Sequence, residues 1–271
     1  MSFEPLTLAA HNPSPMTGAG NNTYLIVGPE GDAALVDAGV GEPRHLAAIH
    51  HHLEEQGAVL ARVFVTHAHA DHSSGAPALA AAHPGASFHK YPSPTEDVGS
   101  SISWSPLADG DSLPAGGASL LALHTAGHSA DHVIFWHEAS RTAFTGDLVI
   151  PGRSVMIDFS RGGDLVRYMA ALERLLALRP RILLPAHGPE VHDPAAVLNE
   201  HLEHRRMRER QVIAALAAGG DTVQTIVESI YDGLDPALGR AARQNVAAHL
   251  EKLKREGRAI EENARWRLCR P

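Results

Sequence analysis

One cysteine, Cys269, is all that this 271-residue sequence contains. No disulfide can form within the chain, and a reducing, cytoplasmic setting is expected. Long hydrophobic runs are missing too. No stretch approaches the roughly 20 apolar residues of a membrane-spanning helix. The opening Met1-Ser2-Phe3-Glu4-Pro5-Leu6-Thr7 has neither the basic start nor the apolar core of an export signal, so no membrane partner is expected. Positive charge is scarce over most of the length. Residues 1–199 carry 10 Lys and Arg against 20 Asp and Glu, whereas residues 200–271 carry 13 against 11, giving the net −8 of the whole chain. The broad basic footprint of nucleic-acid enzymes is absent from the larger region. A surplus of two cations in the tail is too small for duplex DNA to be an expected partner.

Histidine, by contrast, is abundant, with 19 residues. Three of them stand in Thr66-His67-Ala68-His69-Ala70-Asp71-His72, directly after the apolar run Arg62-Val63-Phe64-Val65. This pattern predicts a buried strand whose C-terminal loop carries metal ligands. His67 and His69 are two apart, so on extended backbone they point the same way and can grip one cation. Asp71 and His72 follow where the chain turns into a helix and can face a second. Imidazole with carboxylate suits zinc, with iron and manganese as alternatives.

Three further candidates each follow an apolar run: His128 in Thr125-Ala126-Gly127-His128-Ser129, Asp147 in Thr145-Gly146-Asp147, and His187 in Pro185-Ala186-His187-Gly188-Pro189. A glycine beside each lets backbone come close to the metals. Alone, any of these would read as a turn or capping residue. Together they supply about the number of ligands a two-metal site needs. Asp37, in Asp37-Ala38-Gly39, reads as a strand-end residue that supports the ligand loop and is not itself a ligand. Asp131 and His132 read as supporting or packing residues, with substrate contact as the other role open to His132. His50-His51-His52 reads as the solvated face of a helix.

The order of these motifs resembles that of metallo-beta-lactamase-fold hydrolases: His-x-His-x-Asp-His, then Gly-His, Gly-Asp and His-Gly. The resemblance implies an α/β fold, an αββα sandwich with the site at one edge of its two sheets. It implies a first metal held by His67, His69 and His128, a second by Asp71, His72 and His187, and Asp147 bridging both together with a hydroxide. Asp71 or Asp147 would take a proton during hydrolysis.

Elements are expected as strands over 23–27, 33–37, 119–124, 132–137 and 142–145, and helices over 42–56 and 164–178. A further helix should run to about Ala82 with Ser73 or Ser74 as its cap. Residues 92–117, rich in Pro, Gly and Ser, read as a long loop, part of which walls the active site. From about Pro194 the pattern turns helical. Helices over 222–231 and 238–256, stopped by Gly257, precede two short strands around Ile260 and Trp266, which together predict a winged helix. The expected domains are 1–195, catalytic, and 196–271, a small winged helix packed beside the metal edge where it shapes the substrate entrance.

The tail resembles the C-terminal domain of the beta-lactamase-like protein 2 group in Glu203-His204-Arg205, Ile226-Val227, Ile230-Tyr231, Asn245-Val246 and His249-Leu250. Asn12-Pro13, Met16-Thr17 and Asn22-Thr23-Tyr24 match that group's opening. The implied function is a dinuclear-metal hydrolase of an ester, thioester, lactone or phosphodiester, with single-stranded RNA cleavage, an activity of that group, as an alternative. The runs Arg205-Arg206-Met207-Arg208 and 252–258 read as solvated helix faces. Beta-lactam cleavage is disfavoured, because dedicated beta-lactamases are exported and usually lack a counterpart of Asp147. A glyoxalase II-like thioesterase would have a different tail. A winged-helix regulator with a metal-sensing domain is the non-enzymatic reading, and a homodimer stays open.

Overall fold

The computed structural model describes residues 3–15, 17–159 and 162–269. Met16, one residue of the opening resemblance, lies outside them. Six strands form the first sheet in the order β1 (Leu6–Ala9), β2 (Asn22–Val27), β3 (Asp32–Val36), β4 (Val59–Val65), β5 (Ser87–Lys90) and β6 (Trp104–Pro106). The second runs β11 (Ile182–Pro185), β10 (Thr142–Gly146), β9 (Val133–His137), β8 (Ala118–His124) and β7 (Ser112–Ala115). The two-residue side-chain period sorts residues between layers. Tyr24, Ile26, Val36 and Phe64 meet Leu120, Phe135, Phe144 and Leu184 between the sheets. Their neighbours Leu25, Leu35, Val63 and Val65 pack outward against Ile49 and Leu53 of α1 (Pro43–Glu55) and Leu79 of α3 (Ala76–Ala82). Both faces of β2–β4 are covered, which is why these strands read as near-continuous apolar runs. Sheet two is covered by α4 (Leu165–Ala177) and the start of α5 (Pro194–Ala217). The result is the expected αββα sandwich.

Two local expectations need correction. Ser73 and Ser74 do not cap a helix start. Their hydroxyls donate back to the carbonyls of Ala68, His69 and Ala70, closing the one-turn helix α2 (Ala70–Ser73), and Gly75 stands before α3. The stretch 92–117 is not one loop but carries β6 and β7. Edge strands of three and four residues are too short to show a two-residue period.

The small domain is a winged helix. Val212 and Leu216 of α5, Ile226 and Val227 of α6 (Val223–Ile230), Val246, Leu250 and Leu253 of α7 (Gly239–Arg255), and Ala259 and Trp266 of the hairpin β12 (Ala259–Glu262) and β13 (Arg265–Leu268) share one core. Thr222 caps α6 in a reciprocal box with Thr225. One continuous 24-residue helix, α5, joins the two units. Leu198 and Leu202 belong to the core under sheet two, whereas Val212 and Leu216 belong to the winged helix. Among the described residues no helix is long and apolar enough to cross a membrane.

Candidate metal centre

The loops after β4, β8, β10 and β11 converge at one edge of the sandwich, and they bring all seven expected ligands together. His67, His69, His128 and Asp147 form one group, and Asp71, His72 and His187 a second, with the candidate ligand atoms of each group within 4.8 Å of one another. Asp147 spans the two. Its Oδ2 lies 3.5 Å from His128 Nε2, and its Oδ1 lies 3.5 Å from His72 Nε2 and 3.2 Å from His187 Nε2. Asp71 Oδ2 lies 3.4 Å from His187 Nε2.

Outer partners set the tautomers. His128 Nδ1 donates to the Met156 carbonyl at 2.9 Å, which leaves Nε2 as the nitrogen aimed at the group. His72 Nδ1 donates to Asp37 Oδ2 at 2.9 Å and likewise aims Nε2 at its group. His67 Nε2 and His128 Nε2 stand 2.9 and 3.0 Å from the same His69 Nδ1. One proton on His69 cannot serve both neighbours at once, whereas a cation satisfies three converging lone pairs. The donor set therefore fits a metal ion.

Electrostatics divides the groups. Burial, then the neighbouring His128 and His72, hold the His69 imidazole down at about 3. Burial, then His72 and His69, push His67 well below its ordinary value. At His187 burial also opposes the charged form, but the carboxylates of Asp147 and Asp71 outweigh it and hold its pKa up at about 9. His72 is raised well above its ordinary value, because Asp37 and Asp147 outweigh its burial.

Several supports are legible only in three dimensions. Asp37 adopts a left-handed backbone at φ 63°. Its Oδ1 accepts from the Thr66 amide at 2.8 Å while Oδ2 holds His72, so one carboxylate ties the end of β4 to a ligand. Asp131 Oδ2 accepts from the Ala68 amide at 2.8 Å, between His67 and His69. His132 is fully buried and does not border the cavity. Its Nε2 accepts from the Asp147 amide at 3.1 Å, which leaves Nδ1 to donate to Thr125 Oγ1 at 2.9 Å. That contact needs Gly146, at φ 48°, since a Cβ there would lie 2.7 Å from His132 Nε2. Gly127 serves packing: a Cβ would come within 2.4 Å of the Tyr168 backbone on α4.

Asn21 escaped sequence reading. It is buried, held by Asn12, and its Nδ2 donates to Asp71 Oδ2 at 3.1 Å. Asn22 Nδ2 donates to the carbonyls of Pro185 and Gly188 on either side of His187. Both lie in the Asn-rich opening, which is the one signal that could have found them. His50 and His51 are exposed, pair with Glu54 and Glu55, and join neither ligand group. Asp37→Ala is expected to weaken metal binding about 10–100-fold, while His52→Ala leaves it unchanged. Competition with a chromophoric chelator reads both, and equal affinity of Asp37→Ala and the wild type would contradict this assignment.

A cavity of about 740 Å³ opens onto His69, Asp71, His128, Asp147 and His187. Its far wall is built by the winged helix, through His204 and Arg208 of α5, Tyr231, Leu238 and Asn245. Of the stretch 92–117, Glu96 borders it.

Known proteins show the same combination. The metallo-beta-lactamase superfamily matches residues 16–187, and the beta-lactamase associated winged helix domain matches residues 222–266. The lactamase-like protein adaB of Aspergillus niger is 32% identical over 256 residues, covering 89% of this chain and 77% of that protein. The beta-lactamase-like protein 2 homolog of Drosophila melanogaster is 29% identical over 259 residues, covering 91% and 86%. The crystal structure of a metallo-beta-lactamase family protein from Thermus thermophilus superimposes with a TM-score of 0.78 at 23% identity over 98% of each chain, and so shares the fold. A histidine–aspartate cluster able to bind metal, an αββα sandwich and a C-terminal winged helix place this chain in the metallo-beta-lactamase superfamily.

Proposed function

We propose that the chain is a hydrolase holding two divalent cations, zinc ahead of iron or manganese, and cleaving a small ester, thioester, lactone or phosphodiester. The observation that carries this reading is the span of Asp147, with one carboxylate oxygen toward each ligand group. His67, His69 and His128 would hold one cation, Asp71, His72 and His187 the other, and Asp147 both. When bound, such a pair supplies Lewis acidity that makes water a nucleophile near neutral pH and offsets charge on the attacked oxygen. The protein's part is positioning. Asp37, His132 and the Met156 carbonyl hold ligands in place, and Asn21 orients Asp71. Asp71 is 27% exposed against 10% for Asp147, so Asp71 is the carboxylate placed to exchange a proton with the cavity. The winged-helix wall limits how much water reaches the substrate.

The winged helix gives little support to a nucleic-acid role. Lys252 pairs with Glu209 and Glu256, Lys254 with Glu261, Arg255 with Asp164, and Arg258 with Glu209. Phosphate-driven binding needs such charges outward and unpaired. The deciding screen takes the zinc-loaded protein against p-nitrophenyl esters, thioesters, lactones, bis-p-nitrophenyl phosphate and short single-stranded RNA. Turnover of a small substrate that chelation removes is the expected result. A fully metal-loaded protein that turns over none of them sinks the enzyme reading.

Loading should depend on pH in a directed way. Without metal, His187 keeps a proton below about pH 9, and a cation entering its group must displace it. His69 is already neutral far below neutral pH. Lowering the pH from about 8 to about 6 should therefore weaken the Asp71–His72–His187 site first. Calorimetric titration at neutral pH in buffers of different ionisation enthalpy should show more protons released by the second equivalent of zinc than by the first, and equal release would contradict the assignment.

A further inference from the structure

The winged-helix wall of the cavity contains a cation that no carboxylate neutralises among the described residues. Arg208 is half-buried on α5 and borders the cavity. Its guanidinium carbon stands 4.3 Å from the centre of the Tyr231 ring, and its Nη1 donates to Gln211 Oε1 at 2.8 Å. Its Nε is buried with no hydrogen-bond partner. Three cations nearby are neutralised: Arg206 pairs with Glu203, Arg240 with Asp158, and Lys252 with Glu209. Arg205, one turn earlier on α5, also has no carboxylate partner among the described residues, but it is engaged by the Val155 carbonyl and Asn245 Oδ1 and does not border the cavity, whereas Arg208 borders it with only a neutral amide and an aromatic face beside it.

Drawing a guanidinium partly out of water without a counter-charge is unfavourable unless an anion arrives. The group is also suited to receiving one. Its planar fork matches carboxylate and phosphate oxygens in pairs, and stacking on an aromatic ring fixes the plane of the fork. Nearby His204 adds no charge, since burial and then Arg205 and Arg208 hold its pKa down at about 4. Arg153, the other arginine bordering the cavity among the described residues, is exposed and donates to the Pro15 carbonyl. The lining also includes Ile150, Val155, Met156, Leu234 and Leu238, which favour an apolar segment.

We propose that Arg208, braced by Tyr231, is the anion-recognising subsite of this cavity. The substrate is then an ester or thioester whose scissile end meets the metal centre and whose other end, beyond an apolar segment, carries a carboxylate or a phosphate. This substrate class rests on the hydrolase reading above.

The test compares matched p-nitrophenyl esters of one chain length, ending in a carboxylate, a phosphonate or a methyl ester, on the zinc-loaded full-length protein. The wild type should prefer an anionic ester over the neutral one by about 10–100-fold in kcat/KM, the scale of a hydrogen bond to a charged group. The preference should lie mainly in KM, and the better of the two anions identifies the natural group. In Arg208→Gln the ratio of anionic to neutral kcat/KM should collapse toward one, with Arg208→Lys in between. Binding separates this idea from the hydrolase reading if no ester turns over. Calorimetry with adipate and its monomethyl ester should show tighter binding of the diacid to the wild type, and no such difference in Arg208→Gln. A wild type without anionic preference in either assay, or an Arg208→Gln protein that keeps it, overturns the proposal.

Discussion

Asp147→Ala is expected to lower kcat/KM by about 10³-fold, the scale set by removing a group that positions charge at a reacting centre. The carboxylate faces both ligand groups, so its loss loosens both at once. The fold should survive. The Asp147 amide still donates to His132 Nε2, because that bond belongs to the backbone. His69→Ala should be comparably inactive, since its Nδ1 is the point on which His67 and His128 converge. Steady-state kinetics alongside circular dichroism reads both effects. Near-wild-type turnover in Asp147→Ala refutes the spanning role.

Arg205→Ala is expected to destabilise the protein by about 3 kcal/mol, through lost charge-assisted hydrogen bonds and the cavity left behind. Arg205 is 1% exposed and donates to the Val155 carbonyl and, at 3.3 Å, to Asn245 Oδ1. Its guanidinium lies 5.0 Å from the centre of the Tyr168 ring, and Tyr168 donates to the Leu148 carbonyl at 3.0 Å. Asn245 Oδ1 also accepts from the Ile157 amide. One arginine on α5 thus pins the 155–157 segment, whose Met156 carbonyl orients His128. Urea unfolding of the metal-free protein gives the magnitude. A change well under about 1 kcal/mol, typical of surface substitutions, would mean that the cluster is not a structural link.

How legible a residue was in the sequence depended on whether its partners were local. The seven ligand candidates sit in short loops just after apolar runs, and the strands that carry them bury both faces, so position and chemistry announce each other. The helix starts at 42, 164 and 222 were readable for the same reason, since the side chains of Glu42, Asp164 and Thr222 accept from amides two or three residues ahead. Residues whose partners lie far along the chain stayed hidden. Arg205 and Arg208 stand in a run of basic residues that reads as a solvated helix face, but a contact with Val155, 50 residues away, buries the first, and the cavity wall takes the second. Asn21 meets Asp71 across 50 residues. The short strands β1, β5, β6 and β7 were missed because neighbouring strands, not their own pattern, define them, whereas β12 and β13, equally short, were flagged by the stop at Gly257 before them.

Metal content tests the central claim most directly. Seven ligands in two groups spanned by one carboxylate are more than one tetrahedral ion can use. Elemental analysis of the protein after gentle purification and zinc loading should exceed one equivalent per chain and approach two, with Asp147→Ala and His69→Ala each falling short. A wild-type protein that never passes one equivalent under zinc loading would contradict the dinuclear account.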